Sequence, residues 1–192
     1  MSELDDLYGE MKGCSLCKLR AGCTQVVTSI GCTDKPKVLI IGEAPGEDED
    51  AEGEPFIGKA GQCLRNVLRD TGILNRSNCL ITNTVKCRPP KNKFPSDDIA
   101  GICVGKWLLK EIELAKPERM ILLGNTPLQF VANMTGITSC RGQWYSIRGI
   151  RTMATYHPSY VLRCDSSGRM MHIRNDFEHD IAEVADEAGG LK

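Results

Sequence analysis

The chain has 192 residues, with 25 Asp and Glu against 24 Lys and Arg, and its net charge is -1 at pH 7. This length supports one α/β domain with a buried core and is too short for two full domains. The near-neutral charge excludes nucleic-acid binding through bulk attraction, so any such role needs a local basic surface.

Ten cysteines stand out in this composition. No apolar run approaches the roughly 20 residues of a membrane span, and the acidic start MSELDDLYGE has no signal-peptide core. We therefore expect a cytoplasmic protein, in which cysteines serve as thiols or metal ligands more often than as disulfides. Cys14 and Cys17 form a CxxC pair, a spacing that zinc sites, iron-sulfur clusters and redox dithiols share. With Cys23 and Cys32 they would make a compact four-thiolate site.

Four short apolar runs predict strands that are buried on both faces. They are KVLII (37–41), CLIT (79–82), RMILL (119–123) and RTMAT (151–155). Helical patterns lie between and after them, so strand alternates with helix along the chain. The alternation predicts a single three-layer α/β/α domain over residues 1–192, with a central four-stranded, mainly parallel sheet.

The predicted helices are marked by apolar spacing and by their ends. One ends near Gly72, a plausible C-terminal stop, and one begins after Ser96, a good capping residue. A further helix should follow Asn125, and an acidic amphipathic helix should close the chain. The helix after Ser96 is expected to place four side chains on one apolar side, namely Ile99, Ile102, Cys103 and Trp107.

Ligands of open parallel sheets bind beyond the carboxyl ends of the strands. The segments at those ends are GEAPG, NTVKCRPP, GNTP and YHPSY. Glycines in the first segment let backbone amides approach a flat ligand, and Asn83 can both donate to it and accept from it. Phe56 could stack on such a ligand, and His157 can donate to an oxygen on which negative charge develops. Taken singly, Phe56 is better explained as a core residue, Asn83 as a turn residue and His157 as a half-buried histidine, and only their convergence at the strand ends favours a site.

The first of these loops is acidic, with seven carboxylates between Glu43 and Glu54. Its segment GEPFIGKA, Gly53 to Ala60, nearly matches a phosphate-binding P-loop, which would make the protein a nucleotide hydrolase. Ala60 has no hydroxyl for magnesium, and the neighbouring carboxylates would repel phosphate. The acids could also hold Ca²⁺ or Mg²⁺, although their order does not match an EF-hand loop.

Five segments occur in order and together resemble the family 4 uracil-DNA glycosylases, the type that carries a 4Fe-4S cluster. They are GCSLC, GEAPGEDED, GEPFIGKAGQ, NTVKCRPPKNKFP and TYHPSYVLR, and the resemblance runs from about Gly13 to Arg163. It implies a monofunctional enzyme that flips uracil out of DNA and hydrolyses its N-glycosidic bond. The abasic site that remains begins base-excision repair. The alternative is a noncatalytic iron-sulfur DNA-binding or polymerase-associated module.

The resemblance also implies a ligand set for the cluster that differs from the compact set above. It pairs Cys14 and Cys17 with Cys87 and Cys103. The remaining cysteines would then be small apolar residues or exposed thiols, namely Cys23, Cys32, Cys63, Cys79, Cys140 and Cys164.

The resemblance assigns roles in the base pocket as well. Gly42, Glu43 and Ala44 would line it with backbone amides, Phe56 would stack on uracil, and Asn83 would read its Watson-Crick edge. His157 would stabilise the departing uracil anion. A separate hypothesis places Glu49 near C5 of the ring, where it would exclude thymine by a clash with its methyl group. Where better-known uracil-DNA glycosylases have GQDPY and use its aspartate to orient water, this chain has Ala44. Glu43 is the nearest carboxylate that could place the water.

The basic run KCRPPKNK (86–93) and the segment HPSYVLR (157–163) are expected to contact DNA. The residues expected to bind phosphate or to wedge the vacated stack are Lys86, Arg88, Lys91, Lys93, Ser159, Tyr160, Val161, Leu162 and Arg163. Family members are often monomers that act with a sliding clamp. We therefore expect a monomer and a possible clamp partner, although neither end shows a clear clamp-binding peptide.

Overall fold

A computed structural model describes residues 2–167 and 171–189 of the chain. Its strands are β1 (Ile30–Gly31), β2 (Val38–Gly42), β3 (Cys79–Asn83), β4 (Arg119–Leu123), β5 (Trp144–Ile147) and β6 (Ile150–Thr155). They form one mixed sheet in the order β1-β3-β2-β4-β6-β5. The four predicted strands are confirmed as β2, β3, β4 and β6, which run parallel to one another.

The predicted count of four strands is wrong, because the described part of the sheet has six. β1 pairs antiparallel with β3, and β5 pairs antiparallel with β6, so each covers one edge. β1 has two residues and β5 is half exposed. Neither carries the continuous apolar run that marks a strand buried on both faces.

Helices follow the strands at the predicted places. Their bounds are α1 (Glu3–Lys12), α2 (Glu47–Glu52), α3 (Lys59–Asp70), α4 (Asp97–Cys103), α5 (Leu109–Ala115), α6 (Asn125–Ala132), α7 (Ile137–Cys140), α8 (Pro158–Ser167) and α9 (Met171–Gly189). A π-helical turn, Val104–Leu108, joins α4 to α5. No helix within the described ranges has both the length and the apolar character that a bilayer crossing requires.

The sheet separates two apolar clusters, which confirms the three-layer architecture. Leu39 and Ile41 of β2 point to the cluster that contains buried residues of α1, α4, α5 and α6. Val38 and Ile40 point to the cluster with α3, α8 and α9. Ile102 is 43% exposed, yet it borders the same small cavity as Cys103 and Trp107, with which it was predicted to share one side. That one domain spans residues 1–192 stays a prediction.

Strand pairing brings the predicted loops together. β2 and β3 are in register with Gly42 opposite Asn83, and β4 and β6 with Leu123 opposite Thr155. The four loops therefore leave the sheet side by side at its carboxyl edge.

Candidate functional site

A cavity of about 920 Å³ lies at this edge of the sheet. All four strand-end loops contribute to its wall, and the YHPSY loop contributes Tyr156, which the sequence analysis did not single out. The predicted site residues that line it are Glu43, Ala44, Glu49, Phe56, Asn83, His157, Ser159, Tyr160 and Arg163. The cavity has the size of a small-molecule site and is open to solvent.

Phe56 and Asn83 line one side of the cavity, where β2 and β3 end, and Gly42 lies directly behind them without lining it. A methyl group on Gly42 would stand 2.3 Å from the Phe56 ring and 2.6 Å from Asn83 Oδ1. Glycine is therefore required here for the ring and the amide to approach the strand. The Phe56 backbone is also fixed, since Arg65 donates to its carbonyl oxygen at 2.8 Å. A flat ligand in the cavity would meet this ring beside a polar amide.

The Asn83 side chain is 3% exposed, yet it has no hydrogen-bond partner among the described protein residues. Every fully buried side-chain N and O atom in the described residues is paired. The Asn83 amide therefore reaches the cavity, where it remains available to a ligand as both donor and acceptor.

His157 follows β6, and its imidazole lies 6.0 Å from the Phe56 ring, centroid to centroid. The backbone N–H of Ser159 donates to His157 Nδ1 at 3.2 Å, and the Ser159 hydroxyl lies 2.8 Å from the same atom. Because Nδ1 accepts, the ring proton belongs on Nε2. Burial, and then the charge of Arg163, lowers the pKa of His157 to about 4. At neutral pH the group is thus an uncharged imidazole that can donate from Nε2.

Glu43 is half-buried in the cavity wall, and its carboxylate is held by one hydroxyl. Thr126 Oγ1 donates to Glu43 Oε2 at 2.6 Å. This threonine is the second residue of α6 and lies in the GNTP segment, which the sequence analysis placed at a strand end without choosing a residue in it. The bond leaves Glu43 Oε1 available to orient a water molecule or a ligand.

The acidic loop contains α2, and two of the carboxylates on this helix turn inward to hold backbone amides. Glu49 Oε1 accepts from the N–H groups of Ile57 and Gly58, both at 2.9 Å, and Oε2 accepts from Gly46 at 3.0 Å. Asp50 accepts from the N–H groups of Thr24 and Gln25. The amides that a P-loop would offer to phosphate are therefore occupied by a carboxylate, which removes the nucleotide-hydrolase alternative.

The prediction that Lys86 contacts DNA is wrong. Its side chain is 1% exposed, and its Nζ lies 2.6 Å from Oε2 of Glu111, which is fully buried. Thr82 also accepts from this ammonium. A lysine that is sealed in an ion pair beneath the surface cannot reach a phosphate.

The other basic residues lie where a DNA strand could reach them. Lys91 is exposed in the turn Pro90–Asn92, beside the cavity wall, and Arg88 is half-buried with Nε 2.8 Å from Asn92 Oδ1. Across the cavity Arg163 is exposed, with Nη1 3.4 Å from Ser159 Oγ. Leu162 packs against the core cluster of α3, α8 and α9 and does not line the cavity. Its role as a wedge stays a prediction.

A second, small cavity lies beside β3 and is lined by four cysteine thiols. These are the residues expected from the resemblance, Cys14, Cys17, Cys87 and Cys103. Trp107 Nε1 donates to Cys14 Sγ at 3.3 Å, and burial raises the pKa of Cys103 to about 11. The compact set of Cys14, Cys17, Cys23 and Cys32 is not assembled. Cys32 pairs through its backbone with Cys79 at the start of β3, whereas Cys87, which lines the cavity with Cys14 and Cys17, follows the end of that strand.

These thiols are not arranged around a single point. Within the described residues no three His, Cys, Asp or Glu side chains are placed to bind one metal ion. A 4Fe-4S cluster uses four cysteines that bind different irons, so its ligands stand farther apart than those of a single ion. Four cysteines around one cavity, with an apolar lining of Leu16, Leu19 and Val26, fit such a group.

Comparisons with known proteins agree with this geometry. A sequence model of the Uracil DNA glycosylase superfamily matches residues 28–181. A type-4 uracil-DNA glycosylase of Archaeoglobus fulgidus is 33% identical over 98% of this chain and 95% of its own length. One of Thermotoga maritima is 38% identical over 92% of each chain. A DNA polymerase of Bacillus phage SP01 is 34% identical over 67% of this chain, a match that covers 14% of the polymerase.

Proposed function

The chain belongs to the uracil DNA glycosylase superfamily, and on that basis we propose how its residues remove uracil from DNA. It is a monofunctional uracil-DNA glycosylase of the type-4 class, and its reaction leaves an abasic site. The observation that carries the residue assignments is the convergence of Phe56, Asn83 and His157 on one cavity at the strand ends.

The flipped base enters the cavity beside Gly42, where Phe56 stacks on its ring. Asn83 donates to a carbonyl oxygen of uracil and accepts from its N3–H, which cytosine does not offer. The Watson-Crick edge is therefore read by one buried amide. Glu49 holds the loop over the base and narrows the space beside C5, where thymine carries a methyl group.

Bond cleavage then leaves negative charge on the departing uracil. Nε2–H of His157 donates to the uracil oxygen on which this charge develops, and it does so as a neutral imidazole. Water adds to the sugar carbon, with Glu43 as the group that orients it and Thr126 holding the carboxylate. No lysine attacks the sugar in this reaction.

We propose that Cys14, Cys17, Cys87 and Cys103 bind a 4Fe-4S cluster. Such a cluster would serve as a structural crosslink that joins the N-terminal segment to the loop after β3 and to α4. Asn83 lies four residues before Cys87, so the crosslink would also steady the strand end that reads the base.

We further propose that the enzyme works as a monomer in the cytoplasm, where a reducing pool keeps the cysteines outside the cluster as thiols. Its substrate is uracil-containing DNA, gripped by Arg88, Lys91, Ser159 and Arg163, with Tyr160 beside the vacated stack. A sliding-clamp partner stays a prediction.

The assignment is tested by uracil release from a single-stranded oligonucleotide, read as an alkali-labile break. The wild type is expected to release uracil. Asn83→Ala is expected to lose most of that activity, because the carbonyl oxygen and the N3–H of uracil that pair with Asn83 are left without a partner. Asn66→Ala, an exposed position on α3, is the matched control. Binding of the oligonucleotide by intact wild type without uracil release would instead favour the noncatalytic polymerase-associated module.

Gly42→Ala is expected to reduce activity by about 10²-fold, because the new methyl group displaces the Phe56 ring and the Asn83 amide by the order of 1 Å. The measurement is kcat/KM for uracil release, with Gly105→Ala as control, since a methyl group there meets open space. Equal activity of the two variants would remove Gly42 from the pocket.

Glu43→Gln is expected to slow uracil release on the order of 10-fold. This loss is smaller than the ~10²–10⁴-fold of a typical general base, because the base departs largely before water adds. Single-turnover rates beside Glu52→Gln, an exposed residue of α2, provide the measurement. A rate equal to that of the wild type would leave water placement to another group.

A further inference from the structure

The Phe56 backbone has a strained conformation that its neighbours must maintain. Its φ angle is 57°, in the left-handed region that a bulky residue rarely adopts. Phe56 is also 5% exposed, so its ring has little freedom to move. Strain of this kind persists only where the surrounding structure enforces it, and it is concentrated at functional sites. The residues that hold the Phe56 backbone therefore bear on how the ring meets a base.

Helix α3 contacts the Phe56 backbone through two residues that are one turn apart, Gly61 and Arg65. A methyl group on Gly61 would stand 1.7 Å from the Phe56 carbonyl oxygen, so the helix and the loop approach main chain to main chain. The Arg65 guanidinium donates from Nη1 to the Phe56 carbonyl oxygen at 2.8 Å and from Nη2 to that of Ile57 at 3.3 Å. Both acceptors are main-chain atoms, so the arginine holds the loop itself and not a side chain on it.

Glu49 holds the same two peptide units from their N–H side. The N–H groups of Ile57 and Gly58 both donate to Glu49 Oε1 at 2.9 Å. In the peptide unit that joins Phe56 to Ile57, the carbonyl oxygen thus bonds to a guanidinium and the N–H bonds to a carboxylate. The next peptide unit is held in the same way. Because hydrogen bonds to charged groups are stronger than neutral ones, the two side chains fix the turn in which Phe56 has its positive φ.

We propose that Arg65 is a positioning residue for uracil excision, which holds Phe56 where its ring stacks on the flipped base. This role rests on the proposed function, since it requires Phe56 to stack on uracil. Arg65 does not line the cavity, so its effect on the base is transmitted by Phe56. A guanidinium suits the task because its planar fork of donors reaches two neighbouring carbonyl oxygens at once.

The test is a double-mutant cycle on kcat/KM for uracil release from a single-stranded oligonucleotide. Arg65→Ala is expected to lower kcat/KM by roughly 10-fold. This is less than the ~10²-fold that a displacement of about 1 Å can cost, because Glu49 still holds the other side of the turn. In a Phe56→Ala background, Arg65→Ala is expected to cost nothing further, since the ring that it positions is gone. Arg69→Ala, which removes an exposed arginine one turn later on α3, is the matched control and should keep the wild-type value.

Two further readouts separate positioning from support of the fold. Free uracil is an inhibitor whose binding reports stacking without bond cleavage. Its inhibition constant is expected to rise several-fold in Arg65→Ala and to stay unchanged in Arg69→Ala. Arg65→Lys, whose ammonium can still donate to one of the two carbonyl oxygens, should recover part of the lost activity. It takes the place of Arg65→Ala in the cycle if the alanine variant does not fold.

The cycle distinguishes failure of this role from failure of the function on which it rests. Arg65→Ala as fast as Arg69→Ala, beside a slow Phe56→Ala, would overturn the positioning role alone. An equal loss from Arg65→Ala with and without the Phe56 ring would overturn it too, since the arginine would then act by another route. A Phe56→Ala enzyme as fast as the wild type would overturn the stacking role and the positioning role together. A wild type that releases no uracil would overturn the proposed function itself.

Discussion

Replacing His157 with alanine is expected to slow uracil release by ~10²–10³-fold, the loss typical when one preorganised donor to a developing negative charge is removed. The structure gives the physical reason, because Ser159 N–H holds Nδ1 as an acceptor and so leaves the proton on Nε2. Alanine keeps the cavity but removes the donor. The measurement is the single-turnover rate, which reports bond cleavage separately from product release.

The matched control is His179→Ala, an exposed histidine of α9 that should keep the wild-type rate. Equal circular dichroism and equal iron content in the two variants would show that the fold is unchanged. A His157→Ala enzyme as fast as the control would mean that another group stabilises the leaving base.

The lowered pKa of His157 predicts the pH dependence of this step. Burial holds the folded-state pKa near 4, below the ordinary 6.5, so the ring stays neutral throughout the range from pH 8 to pH 5. No change of rate near pH 6.5 should therefore arise from His157. The neutral His157 ring also makes the free energy of unfolding depend on pH. Its contribution is complete above pH 6.5 and declines as the pH falls toward 4, because the unfolded chain binds the proton first.

The sequence predicts much of this arrangement because strand ends follow from apolar runs. KVLII, CLIT, RMILL and RTMAT are continuous enough to be recognised, and parallel pairing then places Asn83 and His157 at one edge. Thr126 was missed because a threonine in a turn has many ordinary roles. Its role in the site depends on a hydrogen bond to Glu43, which is 83 residues away along the chain.

In the acidic loop and in the basic run, the charge of neighbouring residues along the chain wrongly predicts that side chains are exposed. So acidic a stretch suggests exposed side chains, yet Glu49 and Asp50 are buried because backbone amides surround them. Lys86 was assigned to DNA because its neighbours along the chain are basic. Its partner Glu111 lies 25 residues later on α5, and only the packing of that helix against β3 brings the two charges together.

Removal of that partner is expected to have the largest effect on stability. Glu111→Ala leaves the Lys86 ammonium buried without a counterion, which costs ~3–5 kcal/mol of unfolding free energy. Tyr8 and Ser29, whose hydroxyls donate to Glu111 Oε1, lose their acceptor as well. The midpoint of thermal unfolding should therefore fall by roughly 6–20 °C for a chain of this length, measured by calorimetry.

Glu113→Ala is the matched control on the same helix. Glu113 also pairs with a lysine, Lys110, at 3.3 Å, but both side chains are largely exposed. An exposed pair contributes ~0–1 kcal/mol, so this variant should melt close to the wild type. Equal melting of the two variants would mean that the buried Lys86–Glu111 pair contributes no more to stability than the exposed pair. A much lower melting temperature for Glu111→Ala than for Glu113→Ala would show that Lys86 is a buried structural charge between β3 and the cysteine site.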